Sequence, residues 1–218
     1  KSRIICRNQQ MLRFDEETTR YISTDAADSL LDNLKDLLTK GRLDAVILQD
    51  YNKGLLSPAL ITGVLALCAE HNVITAVDPK HDNFFRYDNC TLFKPNLKEL
   101  GDALDKPLGT DDAAQAVKQL KEQMSCKYVL LTMGSKGVYL SNDTEEHLMP
   151  AMPRNIADVS GAGDTVLSVA TLALAAGAPA KTAAALANIA GGLVCEQVGV
   201  VPVDRTRLLD EAKTQTSL

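Results

Sequence analysis

"DAVILQDYNKGLLSPALITGVLALCAEHNVITAVDPK", residues 44–80, decides the fold. Two short apolar runs rich in β-branched residues end on Asp50 and Asp78, and each reads as a strand buried on both faces. Between them Ser57 and Pro58 open a helix that runs to about His71. A strand, a helix of this length and a second strand are the unit from which parallel sheets are built.

The same grammar extends in both directions. Upstream, Thr24 or Asp25 is placed to cap a helix carrying Leu30, Leu31, Leu34, Leu37 and Leu38 to Gly41. Before it, "RIIC" and "MLRFDEE" suit extended structure, a hairpin or a pair of edge strands, with Leu12 and Phe14 alternating against Arg13 and Asp15. Downstream, "TLFKPN" is a third short strand, and Asn96 and Asp111 are helix starts. Tyr128 to Thr132 is a fourth strand, which "GSKG" joins to "VYLSN" as a hairpin. Two helices then close the chain. The first, "VLSVATLALAAG", is apolar nearly all round and reads as buried, ending at Gly177. The expectation is one domain: an open, mostly parallel α/β sheet over residues 23–218, with a β appendage and return strand over residues 1–22.

Composition narrows the function classes. The chain has 218 residues, 45% hydrophobic and 23% charged, with a formal net charge of -5, which argues against a general nucleic-acid surface while leaving room for a local phosphate pocket. Cys6, Cys68, Cys90, Cys126 and Cys195 are odd in number and widely spaced, as are His71, His81 and His147. The cysteines read as reduced, mostly buried core residues; with the histidines equally dispersed a zinc site has little support, and the compartment expected is the cytoplasm. The apolar tract Val166 to Ala180 is too short to span a membrane.

Sites in open α/β sheets form beyond the carboxyl ends of strands. "DYNKG", "DPK", "KPNLKE" and "TMGSKG" all follow predicted strands, and "DVSGAGDTV" opens the late helix. Glycines at a helix start let an anion approach unpaired backbone N–H groups; a turn capped by Ser160 is the ordinary alternative. For phosphoryl transfer, Gly161, Ala162 and Gly163 can form an anion hole and Asp164 can take the proton of an attacking hydroxyl. Asn96 and Glu99, three apart, suit either the hydration shell of magnesium or a capping box. Lys53, Lys80 and Lys94 recur behind successive strands. A third Rossmann glycine is lacking, and so is a phosphate loop ending in Gly-Lys-Ser or Gly-Lys-Thr.

Together "DVSGAGDT", "KPNLKE", "TMGSKG" and "ALANIAGG" resemble the signatures of the ribokinase-like, or PfkB, carbohydrate kinases. The resemblance runs from Lys1 to about Val203 and implies a three-layer open sheet with a β lid. Within the family, "SRIICRNQQMLRFDEE", "LQDYNKGLL" and "VDPKHDNFFRY" are most similar to the heptose 7-phosphate kinases that serve ADP-heptose and lipopolysaccharide synthesis. It implies ATP-dependent phosphorylation of the anomeric hydroxyl of a heptose 7-phosphate. Asp164 would be the base, Gly161 to Gly163 the anion hole, and Asn96 with Glu99 the water-mediated magnesium network. Thr132, Gly134, Ser135, Gly137 and Asn188 would lie near the nucleotide, and Arg7, Asn8, Gln10, Arg13, Asp50 and Lys53 on the sugar-phosphate side. ATP, Mg2+, a monovalent cation, a sugar phosphate and a homodimer partner follow from the same likeness. Another sugar or nucleoside kinase of the family, and a nucleotide-binding module without turnover, are the alternatives.

Three departures stand out. Val159 replaces a common threonine, Asn52 stands where a small residue is usual, and nothing before Lys1 supplies the family's additional strands, Gly-Gly loop and sugar-binding aspartate. The chain is accordingly expected to be a fragment truncated at its N-terminus.

Overall fold

The structure, a computed structural model, describes residues 2–6 and 9–214. Arg7 and Asn8 therefore lie outside the described residues, and Gln10 is described in its backbone only. β1 (Ser2–Cys6) and β2 (Gln9–Phe14) form an antiparallel hairpin with a register shift at Ile4/Ile5.

The core alternates as expected: α1 (Thr24–Thr39), β3 (Ala45–Gln49), α2 (Pro58–Glu70), β4 (Ile74–Asp78), β5 (Cys90–Phe93), α3 (Leu97–Ala103), α4 (Ala113–Gln123), β6 (Cys126–Thr132), β7 (Val138–Ser141) and β8 (Glu146–Met149). The sheet order is β3-β4-β5-β6-β7-β8, parallel through β6 and antiparallel beyond. α5 (Ala162–Ala175), α6 (Ala180–Cys195) and α7 (Arg205–Thr214) follow.

The period of two along each strand sorts the core into two layers. Val77, Phe93, Val129 and Leu131 pack under α1, α2, α3 and α4. Their neighbours Ala76, Leu92 and Leu130 face Val166, Leu167 and Ala170 of α5 with Ala184 and Ala187 of α6. The result is a three-layer α/β/α sandwich, in which each fully buried Leu or Phe contributes about 1.5–3 kcal/mol.

Local details correct the sequence reading. Ser23, not Thr24 or Asp25, caps α1, its hydroxyl accepting the Ala26 N–H at 3.3 Å. Asp111 lies in a 3-10 turn, and α4 begins two residues later. β8 is an added strand, and three helices rather than two follow it. β3 is an edge strand, leaving Ile47 42% exposed, and α5 is buried on one side only, with Leu172 71% exposed.

Arg154, in the linker between β8 and α5, is buried against α6 and bonded to Glu196 and Glu211, while Arg207 reinforces both carboxylates. The linker leading to α5 is thus tied to α6 and α7. At the β6–β7 hairpin, Gly137 has φ 95°, and a Cβ there would lie 2.0 Å from the Met149 carbonyl oxygen. Gly137→Ala is expected to cost about 2–3 kcal/mol in urea denaturation. Gly134→Ala, also at positive φ but facing open space, should cost only about 1 kcal/mol. Equal losses would show that the contact with Met149 does not matter.

Candidate active site

The carboxyl ends of β3, β4 and β5 bring Asp50, Asp78, Lys80, Lys94, Asn96 and Glu99 to one edge of the sheet, and the start of α5 faces them. α5 begins on a glycine turn without a side-chain cap. Gly161 adopts a left-handed conformation, φ 79°, and a Cβ there would come within 3.1 Å of Val200. No side chain caps the helix, so Ser160 is not its cap. Asp158 binds the Ser160 and Gly199 amides at 2.9 and 3.0 Å, joining the glycine turn to the loop after α6. The Ala162 amide donates to the Val159 carbonyl oxygen at 3.3 Å, whereas those of Gly161 and Gly163 have no acceptor among the described residues. Of the three predicted anion-hole amides, those of Gly161 and Gly163 are therefore the ones left available.

Asp164 is exposed in the first turn of α5. Desolvation raises its pKa, the Asp78 carboxylate adds to the rise, and Lys94 and Lys80 oppose it. Lys94 itself is buried. Its Nζ lies 3.0 Å from Asp78 Oδ1, and a Cβ on Gly163 would stand 3.5 Å from the same ammonium. Asp78 Oδ2 accepts a hydrogen bond from Gln49 Nε2 at 2.6 Å. Oδ1 is buried and outside hydrogen-bonding geometry, so the Lys94 contact is an ion pair only.

Asn96 and Glu99 form a full capping box: Asn96 Oδ1 accepts the Glu99 N–H at 2.8 Å, and Glu99 Oε2 accepts the Asn96 N–H at 2.9 Å. Glu99 Oε1 is bonded to Lys80. Burial works against the Lys80 ammonium, but Glu99, Asp78 and Tyr51 outweigh it and raise its pKa. The capping-box reading of the Asn-x-x-Glu spacing is thus realised, and a carboxylate or amide oxygen engaged in one hydrogen bond still has a second lone pair. Among the described residues no three His, Cys, Asp or Glu side chains form a metal cage. Magnesium, which keeps several waters and sits on polyphosphate, needs none, and the hard oxygens of Asn96, Glu99 and Asp78 fit it.

The predicted nucleotide side is divided. Thr132 donates from its N–H to the Pro95 carbonyl oxygen at 3.0 Å and so adjoins Asn96. Gly134 and Ser135 are exposed on the following turn. Gly137 and the Asn188 amide are instead held against Met149 and Pro150, with Asn188 Nδ2 2.9 Å from the Pro150 carbonyl oxygen.

On the predicted sugar side, Asp50 is buried and its carboxylate is occupied. It accepts the Tyr87 O–H at 2.6 Å, Asn83 Nδ2 at 3.0 Å and the Asn52 N–H at 2.7 Å, which makes it the anchor of the 50–56 loop. Asn52 takes the left-handed geometry its position demands, φ 51°. Lys53 pairs with Glu17, and the Ile22 amide donates to the Gly54 carbonyl oxygen at 3.0 Å, so the strap behind the hairpin is fastened to this loop. Arg13 is half exposed and 3.1 Å from Asp15. Two residues here carry no strong sequence signal: Asp78, which closes β4 behind three buried residues, and Tyr51, whose pKa desolvation and the Asp164 charge raise.

Residues 14–206 match the family model described as pfkB family carbohydrate kinase. The chain is 38% identical over 218 residues to the bifunctional protein HldE of Desulfatibacillum aliphaticivorans, covering 99% of this chain and 44% of that protein. It is 38% identical over 212 residues to HldE of Rhodospirillum rubrum, covering 96% and 42%. It thus spans less than half the length of these relatives. Among solved structures, phosphofructokinase-2 from Escherichia coli in complex with potassium superposes with a TM-score of 0.77 at 18% identity, covering 89% of this chain and 63% of that one. Arabidopsis thaliana ribokinase complexed with ribose and ATP gives 0.70 at 22% identity, covering 89% and 60%. At these identities the structures speak for the fold.

Proposed function

Because the chain belongs to the pfkB family of carbohydrate kinases, we propose that it supplies the phosphoryl-transfer centre of an ATP-dependent kinase acting on the anomeric hydroxyl of D-glycero-D-manno-heptose 7-phosphate. The product is the 1,7-bisphosphate. The observation that carries this reading is Asp164 in the first turn of α5, beside a glycine cradle and opposite Asn96 and Glu99.

The amides of Gly161 and Gly163 hold the transferring phosphoryl oxygens, and the α5 dipole adds to that attraction. Asp164 Oδ takes the proton of the sugar hydroxyl late in the transfer, so a carboxylate with a modestly raised pKa is sufficient. Lys94 keeps positive charge against Gly163 where the phosphoryl group moves. Asn96 and Glu99 orient water on the metal side. Magnesium, when bound, neutralises the polyphosphate. Thr132, Gly134 and Ser135 line the nucleotide, with Gly137 and Asn188 shaping the wall behind it. A monovalent cation beside the cradle belongs to the same proposal, with Asp158 as the carboxylate of the glycine turn.

Arg13 and Lys53 are the proposed contacts to the distal phosphate, since the strap joins their elements and arginine suits phosphate recognition. Arg7, Asn8 and Gln10 belong to the same proposal. A second copy of the chain is the proposed cover for the exposed Met11, Leu12 and Phe14, because an isolated two-stranded hairpin is marginal in water.

ADP release measured across heptose 7-phosphate, unphosphorylated heptose, fructose 6-phosphate and ribose tests the reading. Turnover should be highest with heptose 7-phosphate, and Arg13→Ala should raise its KM about tenfold without changing ATP affinity. A preference for ribose, or nucleotide binding with no turnover on any sugar, would overturn it.

A further inference from the structure

Glu99 has two carboxylate oxygens, and the chain uses both. Oε2 closes the α3 capping box, and Oε1 accepts a hydrogen bond from the Lys80 ammonium. The cap is part of the helix start, so only the Oε1 contact is open to exchange. Lys80 reaches it from the end of the neighbouring strand, following Asp78 and Pro79 after β4. It opens the 3-10 turn His81–Arg86 in an extended conformation, and that turn draws no cap from its side chain.

The two lysines of the crevice differ in freedom. The Lys94 side chain is 3% exposed and locked against Asp78, whereas that of Lys80 is 40% exposed on a four-carbon stem. A partly exposed ion pair is weak and screened by solvent, and a lysine ammonium is a compact charge that can swing away. A divalent ion with its waters presents twice the charge to the same carboxylate oxygen.

We propose that Lys80 is a resident counter-cation: it holds Glu99 in the metal-free crevice and is displaced when a divalent ion takes its place. This rests on the reading that the crevice binds a metal-nucleotide complex. It makes Lys80 a positioning residue, which keeps Glu99 oriented and the carboxylates of Asp78, Glu99 and Asp164 from repelling one another before the ion arrives. Once released, the ammonium remains within the crevice as a second positive charge for polyphosphate.

The proposal is tested with manganese(II) alone, without nucleotide, by following free metal with electron paramagnetic resonance. Lys80→Met and Lys80→Gln should each bind manganese about three- to tenfold more tightly than the parent chain, because a competing charge has gone. Lys80→Arg, which keeps the charge, should stay within about twofold of it. In a Glu99→Gln background the gain from Lys80→Met should vanish. Unchanged or weaker binding in both neutral variants, a gain that survives Glu99→Gln, or no manganese binding by any of these proteins overturns the proposal. Should Lys80→Met fail to fold, Lys80→Gln decides the question. Failure of the underlying crevice reading is seen separately, as absence of magnesium-ADP binding by the parent chain in calorimetry.

Discussion

Asp164→Asn is expected to lower the turnover of heptose 7-phosphate by about a hundred- to ten-thousand-fold, the range that a positioned general base contributes. The asparagine keeps the shape and the place in the first turn of α5 but cannot accept the hydroxyl proton. Nucleotide affinity should stay within about threefold, because the cradle is made of backbone amides that this substitution leaves in place. In the parent protein, desolvation and Asp78 raise the carboxyl pKa, so activity should fall as pH drops through a value above that of an ordinary aspartate. Above that value the base is ionised and turnover is at its plateau. Near-normal turnover for Asp164→Asn, measured together with nucleotide affinity, would remove Asp164 from the mechanism.

Lys94→Met should be the most damaging single change to stability, at about 3–5 kcal/mol in urea denaturation. Lys94 and Asp78 are both buried on adjacent strand ends, and losing the lysine leaves a carboxylate in a low-dielectric site with Gln49 as its hydrogen-bonding partner. The double change Lys94→Met with Asp78→Leu should recover much of the loss, since an apolar pair of similar volume carries no desolvation cost. A loss below about 1 kcal/mol for Lys94→Met would mean that water reaches the Asp78 carboxylate. The same substitution removes a charge that lowers the Asp164 pKa, so the acid limb of the pH–rate profile should move to higher pH.

Much of this architecture is legible in the sequence for a plain reason. Buried parallel strands must be apolar on both faces, and Ile74 to Val77 announce themselves that way; Val46 to Leu48 carry the same pattern although β3 is an edge strand with Ile47 exposed. The start of α5 is equally legible, because a left-handed residue at a helix start calls for glycine and Gly161 supplies it. β8 escaped because its four residues carry no strong apolar run, and α7 because its helix is polar, with few residues to mark a buried stripe. Asp50 reads from its place after a strand as a residue facing the crevice. Its side chain instead turns inward, because Tyr87 and Asn83, more than thirty positions away, bring it donors that no local pattern reveals. The capping box and the metal site were posed as rivals at Asn96 and Glu99, yet one pair of side chains can serve both.

The arginine staple at position 154 gives α7 a bearing on the proposed catalytic turn that its distance along the chain conceals. Glu211 sits on α7, yet the residue it holds lies seven positions ahead of Gly161, in the linker that delivers the glycine turn. Damage to α7 would strand a buried guanidinium, slacken that linker and blur the aim of the cradle amides while leaving every crevice side chain in the sequence. α7 thus acts as a tensioning device for a glycine turn it never touches.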